Sequence, residues 1–363
     1  MKTYVVETDA IRYNLDALTS KAGKTPIWAV LKGNGYGLGV APMAELAWQA
    51  GIRRFAVTEP GEARTIRERC PDASILMLRP TTDPGEMAQL LELDAIATIG
   101  STEDAAALNS LAAQRDVVAQ VHVKIDTGMG RYGFLPEEQE KILSVYRYND
   151  HIAVTGIYTH FHTAFGKARH TFAQAEQFRG VITAITGAGI EPGEAHCCNS
   201  AAFLRFPELW MDGVRLGSAL LGRVLVKGQR LRRVGYCEAT VDELRWLPAG
   251  HTTGYGAAWK AKKPTRIAVI GVGWYHGFTN EYGRDIFRFR DCLRDALGAV
   301  KRMIFKKKIY VTVGGKKCPV LGHVGMLHTV VDVTKVSVQP GDKAIVEISP
   351  LQMRGMELQF REK

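Results

Sequence analysis

The stretch Trp28-Ala-Val-Leu-Lys32-Gly-Asn-Gly-Tyr36-Gly-Leu-Gly39 carries a lysine from an apolar run into a glycine-rich loop. A lysine at the end of a buried strand has a lowered pKa, and its free amine can form an imine with an aldehyde cofactor such as pyridoxal phosphate. The glycines allow close backbone approach and leave Tyr36 able to reach a phosphate. The same pattern also fits a strand that ends in solvent with an ordinary lysine before a turn.

Around this stretch, from residue 9 to about 225, helical patterns alternate with short β-branched runs, which is typical of repeated βα units. The predicted strands are Ile27–Leu31, Arg54–Thr58, Ser74–Met77, Ala95–Ile99, Val118–Ile125 and Val154–Thr159. The predicted helices are Val40–Ala50, Pro60–Arg69, Pro84–Leu91, Thr102–Gln114 and Pro136–Tyr148. Six or more such units over about 220 residues favour a TIM-type (β/α)8 barrel over an open sheet.

Beyond about residue 225 the pattern changes to short alternating segments separated by turn signals such as Gly314-Gly315. The predicted strands there are Val234–Val241, Arg266–Gly271, Lys308–Val313, Lys317–Val320, Val330–Val338 and Lys343–Ile348. We therefore expect an α/β chain with a barrel over residues 1–225 and a mostly-β domain over residues 226–363. The first few residues are a candidate extra strand of the β domain.

A basic insertion near residues 280–308 interrupts the β domain, with a predicted helix around Arg290–Val300. Its run Lys306-Lys307-Lys308 fits either contact with an anionic partner or, as we prefer, a solvated helix end.

Composition restricts the possible partners. The 363 residues carry a net charge of +10, but Lys and Arg are dispersed rather than arranged in a stripe with aromatic residues, so we expect no nucleic-acid partner. No apolar run is long enough to span a bilayer and no signal peptide is recognisable, so we expect a cytoplasmic protein with no membrane partner. Six cysteines without CxxC spacing indicate reduced thiols.

Functional groups of a TIM-type barrel gather at the carboxyl ends of its strands. The segment Val121–Phe134 places Lys124, Asp126 and Arg131 there. An arginine at such a position can clamp a carboxylate or form an ordinary surface ion pair. His160 and His162 end another predicted strand, although an isolated histidine is more often a hydrogen-bonded core residue.

Three later segments carry further candidates. His196-Cys-Cys-Asn199-Ser200 contains possible metal ligands, but adjacent cysteines lack the usual spacing and we predict no metal site. Val214-Arg215-Leu-Gly217-Ser218 suits phosphate binding by backbone donors, or is a plain turn. Thr252-Thr-Gly254-Tyr255-Gly256 exposes a tyrosine between glycines, either for chemistry or for packing at an interface.

Together these motifs resemble the bacterial alanine racemase family, fold-type III enzymes that depend on pyridoxal phosphate. The resemblance spans roughly residues 3 to 345 and rests on six motifs in the same order. They are AVLKGNGYG at Ala29–Gly37, KIDTGMGRYGF at Lys124–Phe134, THF at Thr159–Phe161, NSAA at Asn199–Ala202, VRLG at Val214–Gly217 and GYGAAW at Gly254–Trp259.

The resemblance implies that Lys32 holds the cofactor as an imine and acts as one of two acid/base groups. Tyr255 would be the second, contributed by the other subunit of a head-to-tail homodimer, with Met326 near the substrate. The implied phosphate-binding residues are Tyr36, Ser200, Gly217 and Ser218.

Four further roles follow from the same resemblance. Arg215 would hydrogen-bond the pyridine nitrogen and His160 would lie beside the ring. Arg131 would hold the phenolic oxygen of the cofactor and the substrate carboxylate. Lys124 matches a position that is carbamylated in many relatives, where the negative charge helps to orient that arginine.

The implied activity is interconversion of L- and D-alanine, which supplies peptidoglycan precursors. Removing the α-proton from one face and returning it on the other requires two bases, here Lys32 and Tyr255. One alternative is a fold-type III decarboxylase, in which a carboxylate would suit the position of Arg215 better. Another is a non-catalytic cofactor-binding homologue, for which the β domain and Tyr255 are not expected.

Several positions depart from the family pattern. The usual Gly-Arg-Val-Cys-Met-Asp is replaced by Gly322-His-Val-Gly-Met326-Leu327, so the acid at the substrate entryway is absent. Trp274 and His276 stand where a tyrosine and an aspartate are usual, and the C-terminal segment with a further phosphate-contacting tyrosine has no evident match. A racemase for serine, or for a larger or basic amino acid, is therefore a further alternative.

Overall fold

A computed structural model describes residues 2–280, 288–305 and 308–362. It divides into two compact units, the barrel unit (Asp9–Val234) and the β unit (Met1–Thr8 with Gly235–Lys363), which includes the first strand, β1 (Lys2–Glu7). The sequence placed the boundary at residue 225, whereas residues 226–234 cluster with the barrel unit. Residues 281–287, Lys306 and Lys307 of the predicted basic insertion lie outside the described residues.

The barrel unit is built on one sheet of parallel strands. The strands are β2 (Ile27–Val30), β3 (Arg54–Val57), β4 (Ser74–Met77), β5 (Ala97–Ile99), β6 (Ala119–Lys124), β7 (Ile152–Tyr158), β8 (Glu194–Cys198) and β9 (Gly213–Leu216). Their order is β4-β3-β2-β9-β8-β7-β6-β5, and a bridge between Leu76 and Ile96 joins β4 to the residues just before β5. The predicted TIM-type barrel is confirmed.

Helices alternate with these strands. They are Thr8–Ala22, Val40–Gln49, Pro60–Arg69, Pro84–Glu92, Thr102–Gln114, Gln139–Arg147, Ala168–Gly187 and Ser200–Arg205, with a 3-10 turn at Pro207–Leu209. Local sequence sets several of their starts. The Asp83 carboxylate accepts the Glu86 N–H at 2.8 Å and the Ser101 hydroxyl accepts the Asp104 N–H at 3.1 Å, so both helices begin at capping residues.

One cluster inside the barrel supports the loop after β2. Trp28, Val30, Ala56, Leu76 and Ile96 pack together in the interior, and the partly buried side chains of two further residues, Tyr36 and Leu78, pack against them. Because close-packed interiors resist displacement, this cluster fixes the base on which Tyr36 rests.

The β unit is mostly β, as predicted. Its other strands are β10 (Tyr236–Leu247), β11 (Thr252–Thr253), β12 (Trp259–Lys260), β13 (Thr265–Ile270), β14 (Tyr310–Val313), β15 (Lys316–Pro319), β16 (Thr329–Asp332), β17 (Lys343–Val346) and β18 (Glu357–Arg361). The main sheet runs β15-β14-β17-β10-β1-β18, with β13 and β16 continuing from β10. β1 pairs antiparallel with β10 and parallel with β18, so the N-terminal residues are an integral strand of this unit.

The β unit also contains the helix Phe289–Phe305, which includes the predicted Arg290–Val300, and 3-10 turns at Tyr255–Ala257, Trp274–His276 and Pro350–Gln352. Within the described ranges, no helix combines the length and apolar character needed to cross a bilayer.

Candidate active site

A cavity of about 460 Å³ opens at the carboxyl ends of the barrel strands. Nine residues that the sequence assigned to a site line it: Lys32, Tyr36, Lys124, Arg131, His160, Ser200, Arg215, Gly217 and Ser218. Tyr255 and Met326 lie elsewhere, in an open depression of about 560 Å³ on the β unit. The described structure therefore brings most of the predicted residues together and places two on a separate surface.

Lys32 begins a turn of unusual backbone conformation. Gly33, Asn34, Gly35 and Tyr36 have φ angles of 65°, 54°, 61° and 55°, which is the left-handed region that favours glycine. The Glu62 carboxylate accepts the Asn34 N–H at 2.8 Å and compensates for part of the strain at a non-glycine position. The helix after β3 thus holds the loop after β2, and with it the lysine.

The Lys32 amine is set up to be uncharged more readily than an ordinary lysine. Burial lowers its pKa, and the nearby guanidinium groups of Arg131 and Arg215 lower it further, while Glu62 acts weakly in the opposite direction. A less basic amine spends more time as the free nucleophile.

Lys124 lies in the same cationic surroundings. Burial, followed by the charges of Arg131 and Arg215, lowers the pKa of Lys124 to about 7. Its ammonium nitrogen lies 5.3 Å from the ring centre of Tyr132 and 5.4 Å from that of Tyr158. In the described part of the chain no carboxylate pairs with the Arg131 guanidinium. The cavity is therefore a strongly cationic environment suited to an anion.

Asp126 organises the loop that carries Arg131. One carboxylate oxygen accepts the N–H groups of Gly128, Met129 and Gly130 at 2.9, 2.7 and 3.1 Å, and the other accepts the Arg131 N–H at 3.0 Å. Burial opposes ionisation, but these backbone donors outweigh it and lower the pKa of Asp126. This acid is committed to loop geometry.

Arg215 is buried and held from one side by His196. Its Nη1 donates to His196 Nδ1 at 2.6 Å and to the His196 carbonyl at 2.8 Å, and its Nη2 donates to the Thr159 carbonyl at 2.5 Å. Since arginine only donates, His196 carries its hydrogen on Nε2, which donates to His122 Nδ1 at 2.9 Å.

His196 and His122, the two histidines in this series of hydrogen bonds, are neutral. Burial, then the charge of Arg215, lowers the pKa of His122 to about 3 and the pKa of His196 well below its usual value. The same two causes lower the pKa of His160 well below its usual value. Neutral imidazoles leave Arg215 as the fixed charge at this wall of the cavity.

A third group of residues meets around Gly217. The Ser200 hydroxyl oxygen accepts the N–H groups of Gly217 and Ala219 at 3.1 and 3.2 Å. A Cβ at Gly217 would lie 2.1 Å from the Tyr36 hydroxyl oxygen, so only glycine fits beneath this tyrosine. Burial raises the pKa of Tyr36 to about 12, which keeps its hydroxyl a neutral donor.

The β unit presents its candidate residues openly. Tyr255 is 79% exposed and stands between Gly254 (φ 81°) and Gly256 (φ 67°). Met326 and Leu327 are also exposed, and their turn is fixed from below because the Trp274 N–H donates to the Gly325 carbonyl and the Tyr275 N–H to the Met326 carbonyl.

His276, one of the positions that departs from the family pattern, has a local role. It is buried, and its Nδ1 accepts the Gly273 N–H at 3.1 Å. Trp274, another such position, is half exposed beside the Gly325–Leu327 turn.

Sequence reasoning missed Glu62 and His122, which position other residues. It placed Asp126 at the strand end without assigning it a role, and it considered His196 only as a metal ligand. The Asp126-Thr-Gly-Met-Gly pattern, an Asp followed by glycines, could have indicated a side chain that caps its own loop. The adjacent Cys197 and Cys198 both donate to the Leu209 carbonyl at 3.1 Å. Among the described residues no group of three or more His, Cys, Asp or Glu is arranged to hold a metal ion.

Fold and cavity together define a class of protein: an α/β barrel whose strand ends combine an amine nucleophile with fixed cations and neutral hydroxyl donors. Comparison with known families makes this specific. Residues 6–224 match the model of the alanine racemase N-terminal domain and residues 234–354 match that of the C-terminal domain. The chain belongs to the alanine racemase family, whose namesake enzymes are isomerases known to depend on pyridoxal phosphate.

Individual relatives agree. The chain is 30% identical to alanine racemase 1 of Oceanobacillus iheyensis over 94% of this chain and 87% of the relative. It is 31% identical to the alanine racemase of Desulforamulus reducens, covering 94% of this chain and 88% of the relative. The fold matches the alanine racemase structure from Streptomyces lavendulae with a TM-score of 0.83 at 23% identity, over 100% of this chain and 97% of that one.

Proposed function

We propose that this protein is a pyridoxal-phosphate-dependent racemase that interconverts L- and D-alanine. The observation that carries the proposal is one cavity in which Lys32, with its lowered pKa, lies among the charges of Arg131 and Arg215 and near the Tyr36, Ser200 and Gly217 group. An amine nucleophile and an anion-binding wall are what a phosphorylated aldehyde requires.

The residues present fit that cofactor. Tyr36 and Ser200, with Gly217 and Ser218, would hold the phosphate, and the close approach of Tyr36 to Gly217 supports this because a side chain there would displace the hydroxyl. Arg215 would face the ring nitrogen as a permanent donor. When bound, pyridoxal phosphate supplies an electron sink for the pair left at Cα after proton removal.

Two further cavity residues would position cofactor and substrate. His160 would lie beside the ring as a neutral imidazole, since its pKa is lowered. Arg131, without a carboxylate partner among the described residues, is free to receive the substrate carboxylate and the phenolic oxygen of the cofactor.

The chain's own acid/base groups account for racemisation. Lys32, as a free amine after its covalent role, removes or returns the proton on one face of Cα, and Tyr255 does so on the other. Arg215 would disfavour protonation of the ring nitrogen by its own charge, which would weaken the electron sink and limit side reactions. Both directions of the reaction use the same two groups with their roles exchanged.

Lys124 is proposed to be carbamylated. The neutral amine attacks carbon dioxide, a C–N bond forms, and one proton is released to solvent, which leaves a carbamate anion. A pKa of about 7 makes the neutral amine available at ordinary pH. The new negative charge would counter the cationic surroundings and orient Arg131.

Tyr255 and Met326 are proposed to complete the site of the partner subunit in a head-to-tail homodimer. Their exposure on the β unit supports this, because a catalytic tyrosine in open solvent acts only when another surface covers it. We further propose that the enzyme acts in the cytoplasm on the way to peptidoglycan precursors. Its six free cysteines, five of them buried, suit a reducing compartment.

One observation favours a second candidate, a racemase for a larger amino acid. Leu327 stands beside Met326 in the open depression, so an apolar side chain replaces the acid of the family pattern at this position. Serine and basic amino acids are outcomes of the same test.

A first experiment identifies the substrate and the type of reaction. Purified protein with pyridoxal phosphate is incubated with single L-amino acids, and D-product and carbon dioxide are measured. D-alanine as the main product supports the proposal, carbon dioxide indicates a decarboxylase, and neither product from any amino acid indicates a carrier.

Mixing two inactive variants locates the second base. Lys32→Ala and Tyr255→Phe subunits, unfolded and refolded together, should regain roughly a quarter of the wild-type rate, because half of randomly paired dimers contain one intact site of two. No recovery, with mixed dimers present, would show that both groups act within one chain.

A further inference from the structure

Within the part of the chain that the structure describes, the helix Phe289–Phe305 of the β unit has an exposed apolar face. Five residues at helical spacing form its centre: Phe289, Leu293, Leu297, Val300 and Ile304. They are between 48% and 80% exposed, and the helix has no buried residue. A face of this width on a helix is ordinarily buried against something, so it is a candidate contact surface.

The charges on this helix are asymmetric. At about 100° per residue, Arg290, Arg294 and Lys301 follow one edge of the apolar face. Asp291 pairs with Arg288 at 2.7 Å and with Arg294 at 3.0 Å, so its single negative charge is shared between two arginines and offsets only part of theirs. The helix contains four basic and two acidic residues, and the whole chain carries a net charge of +10.

These charges discriminate between possible occupants. A second copy of this helix would bring an equally basic edge to the contact, and the repulsion between the two edges disfavours pairing along this face. An anionic lipid surface complements both features, because its headgroups attract the basic edge and its acyl boundary accepts the apolar face. Aromatic and aliphatic side chains opposite a charged face are the composition of helices that lie in such interfaces.

We propose that the helix Phe289–Phe305 binds the surface of a membrane rich in anionic phospholipid. It lies flat, with its apolar face toward the acyl chains; its length of roughly 25 Å and its charged residues suit the interface rather than the bilayer interior. The proposal revises the expectation of no membrane partner, which rested on the lack of a spanning segment. It is independent of the racemase reaction.

Vesicle sedimentation tests this with the full-length protein. Vesicles of equal parts phosphatidylglycerol and phosphatidylcholine should bind the protein at least about tenfold more tightly than pure phosphatidylcholine, and binding should weaken as salt increases. No binding to the anionic vesicles, or equal binding to both kinds, would overturn the proposal.

Variants assign the binding to this helix. Leu297→Glu with Ile304→Glu should reduce binding at least about tenfold, and Arg290→Gln with Lys301→Gln should reduce it severalfold without touching the apolar face. Leu351→Glu, at an exposed leucine of the same unit, is the matched control and should bind like wild type.

Unchanged binding by both helix variants would overturn the proposal. So would a change of oligomeric state in Leu297→Glu with Ile304→Glu, measured by light scattering without vesicles, because the face would then be an interface between copies of the chain. Racemase activity should be unaffected by any of these substitutions.

Discussion

The barrel unit and the β unit present their candidate site residues in opposite ways. In the barrel unit Arg215 is buried and fixed by His196, and Lys32 begins a turn held by Glu62. In the β unit Tyr255 and Leu327 are exposed on an open surface. The fixed barrel positions Lys32 and Arg215 match the family pattern, whereas the open surface carries one position that matches it, Tyr255, and one that departs from it, Leu327. We therefore propose that the barrel unit holds the cofactor and that the open surface of the β unit influences which substrate is used.

The largest effect is expected from Lys32→Ala. In its proposed role Lys32 supplies both the covalent link to the cofactor and one base, so in the variant the imine absorbance should vanish and racemisation should fall by on the order of 10⁴ or more. Spectrophotometry and chiral chromatography measure the two quantities. Lys24→Ala, an exposed lysine of the same unit, should change neither. An intact imine band in Lys32→Ala would mean that another lysine, with Lys124 the first candidate, is the nucleophile.

Gly217→Ala tests whether the cavity is as tightly built as the contact with Tyr36 implies. The new Cβ would collide with the Tyr36 hydroxyl, and overpacking of about 1–3 kcal/mol should weaken cofactor binding roughly 5- to 150-fold. Fluorescence titration of the apoprotein measures it. Gly180→Ala, in a helix with nothing near the added methyl group, is the control and should bind normally.

A second variant separates strain from loss of a donor. Tyr36→Phe removes the hydroxyl that the new methyl group would strike. The loss of cofactor affinity caused by Tyr36→Phe should therefore be smaller in the Gly217→Ala background than in the wild-type protein. Strict additivity of the two losses would contradict a direct contact between these residues.

The two units also differ in how much of their structure the sequence predicts. Short apolar runs that alternate with helical patterns identified β2 to β7 and the class of barrel. Strands that are buried on both faces are apolar throughout, so they are easy to recognise in a sequence. The sequence assigned nine residues to what is one cavity, because strand ends meet at one edge of a barrel. β8 was missed as a strand since Glu194–Cys198 mixes a histidine with two cysteines and lacks β-branched residues.

The hydrogen bonds that support the site residues could not be predicted from the sequence, for a different reason. The hydrogen bond between His122 and His196 joins residues 74 positions apart, and that between Glu62 and Asn34 joins residues 28 apart. Such pairs depend on strand register and helix placement, which no local pattern encodes. In the β unit, Tyr255 was identified by motif, whereas the turn that holds Met326 is fixed by backbone hydrogen bonds that are independent of side-chain identity.

Lys124 offers a milder test within the barrel unit. Uptake of isotopically labelled bicarbonate, followed by NMR, should rise through pH of about 7, because below its lowered pKa the ammonium cannot attack carbon dioxide and above it the free amine can. An unperturbed model lysine has a pKa near 10.4 and would contribute little at that pH. Lys124→Ala should remove the signal.

The same variant should raise the KM for alanine about tenfold, since Arg131 would lose an orienting charge, and acetate in the buffer should restore part of the loss. Labelling that persists in Lys124→Ala would place the modification on another residue.

The smallest effect is expected in the β unit. Leu327→Asp restores the acid of the family pattern on a rim that is 42% exposed, where one charge is worth about 1 kcal/mol or less. The carboxylate removes an apolar contact for a larger side chain, so the ratio of kcat/KM for alanine to that for leucine should rise about two- to fivefold, with the imine absorbance unchanged. Leu351→Asp, at another exposed leucine, should leave the ratio as it was. If Leu327→Asp instead alters cofactor absorbance and leaves the ratio constant, the division between a cofactor unit and a substrate unit is wrong, because a change on the open surface would then reach the preorganised one.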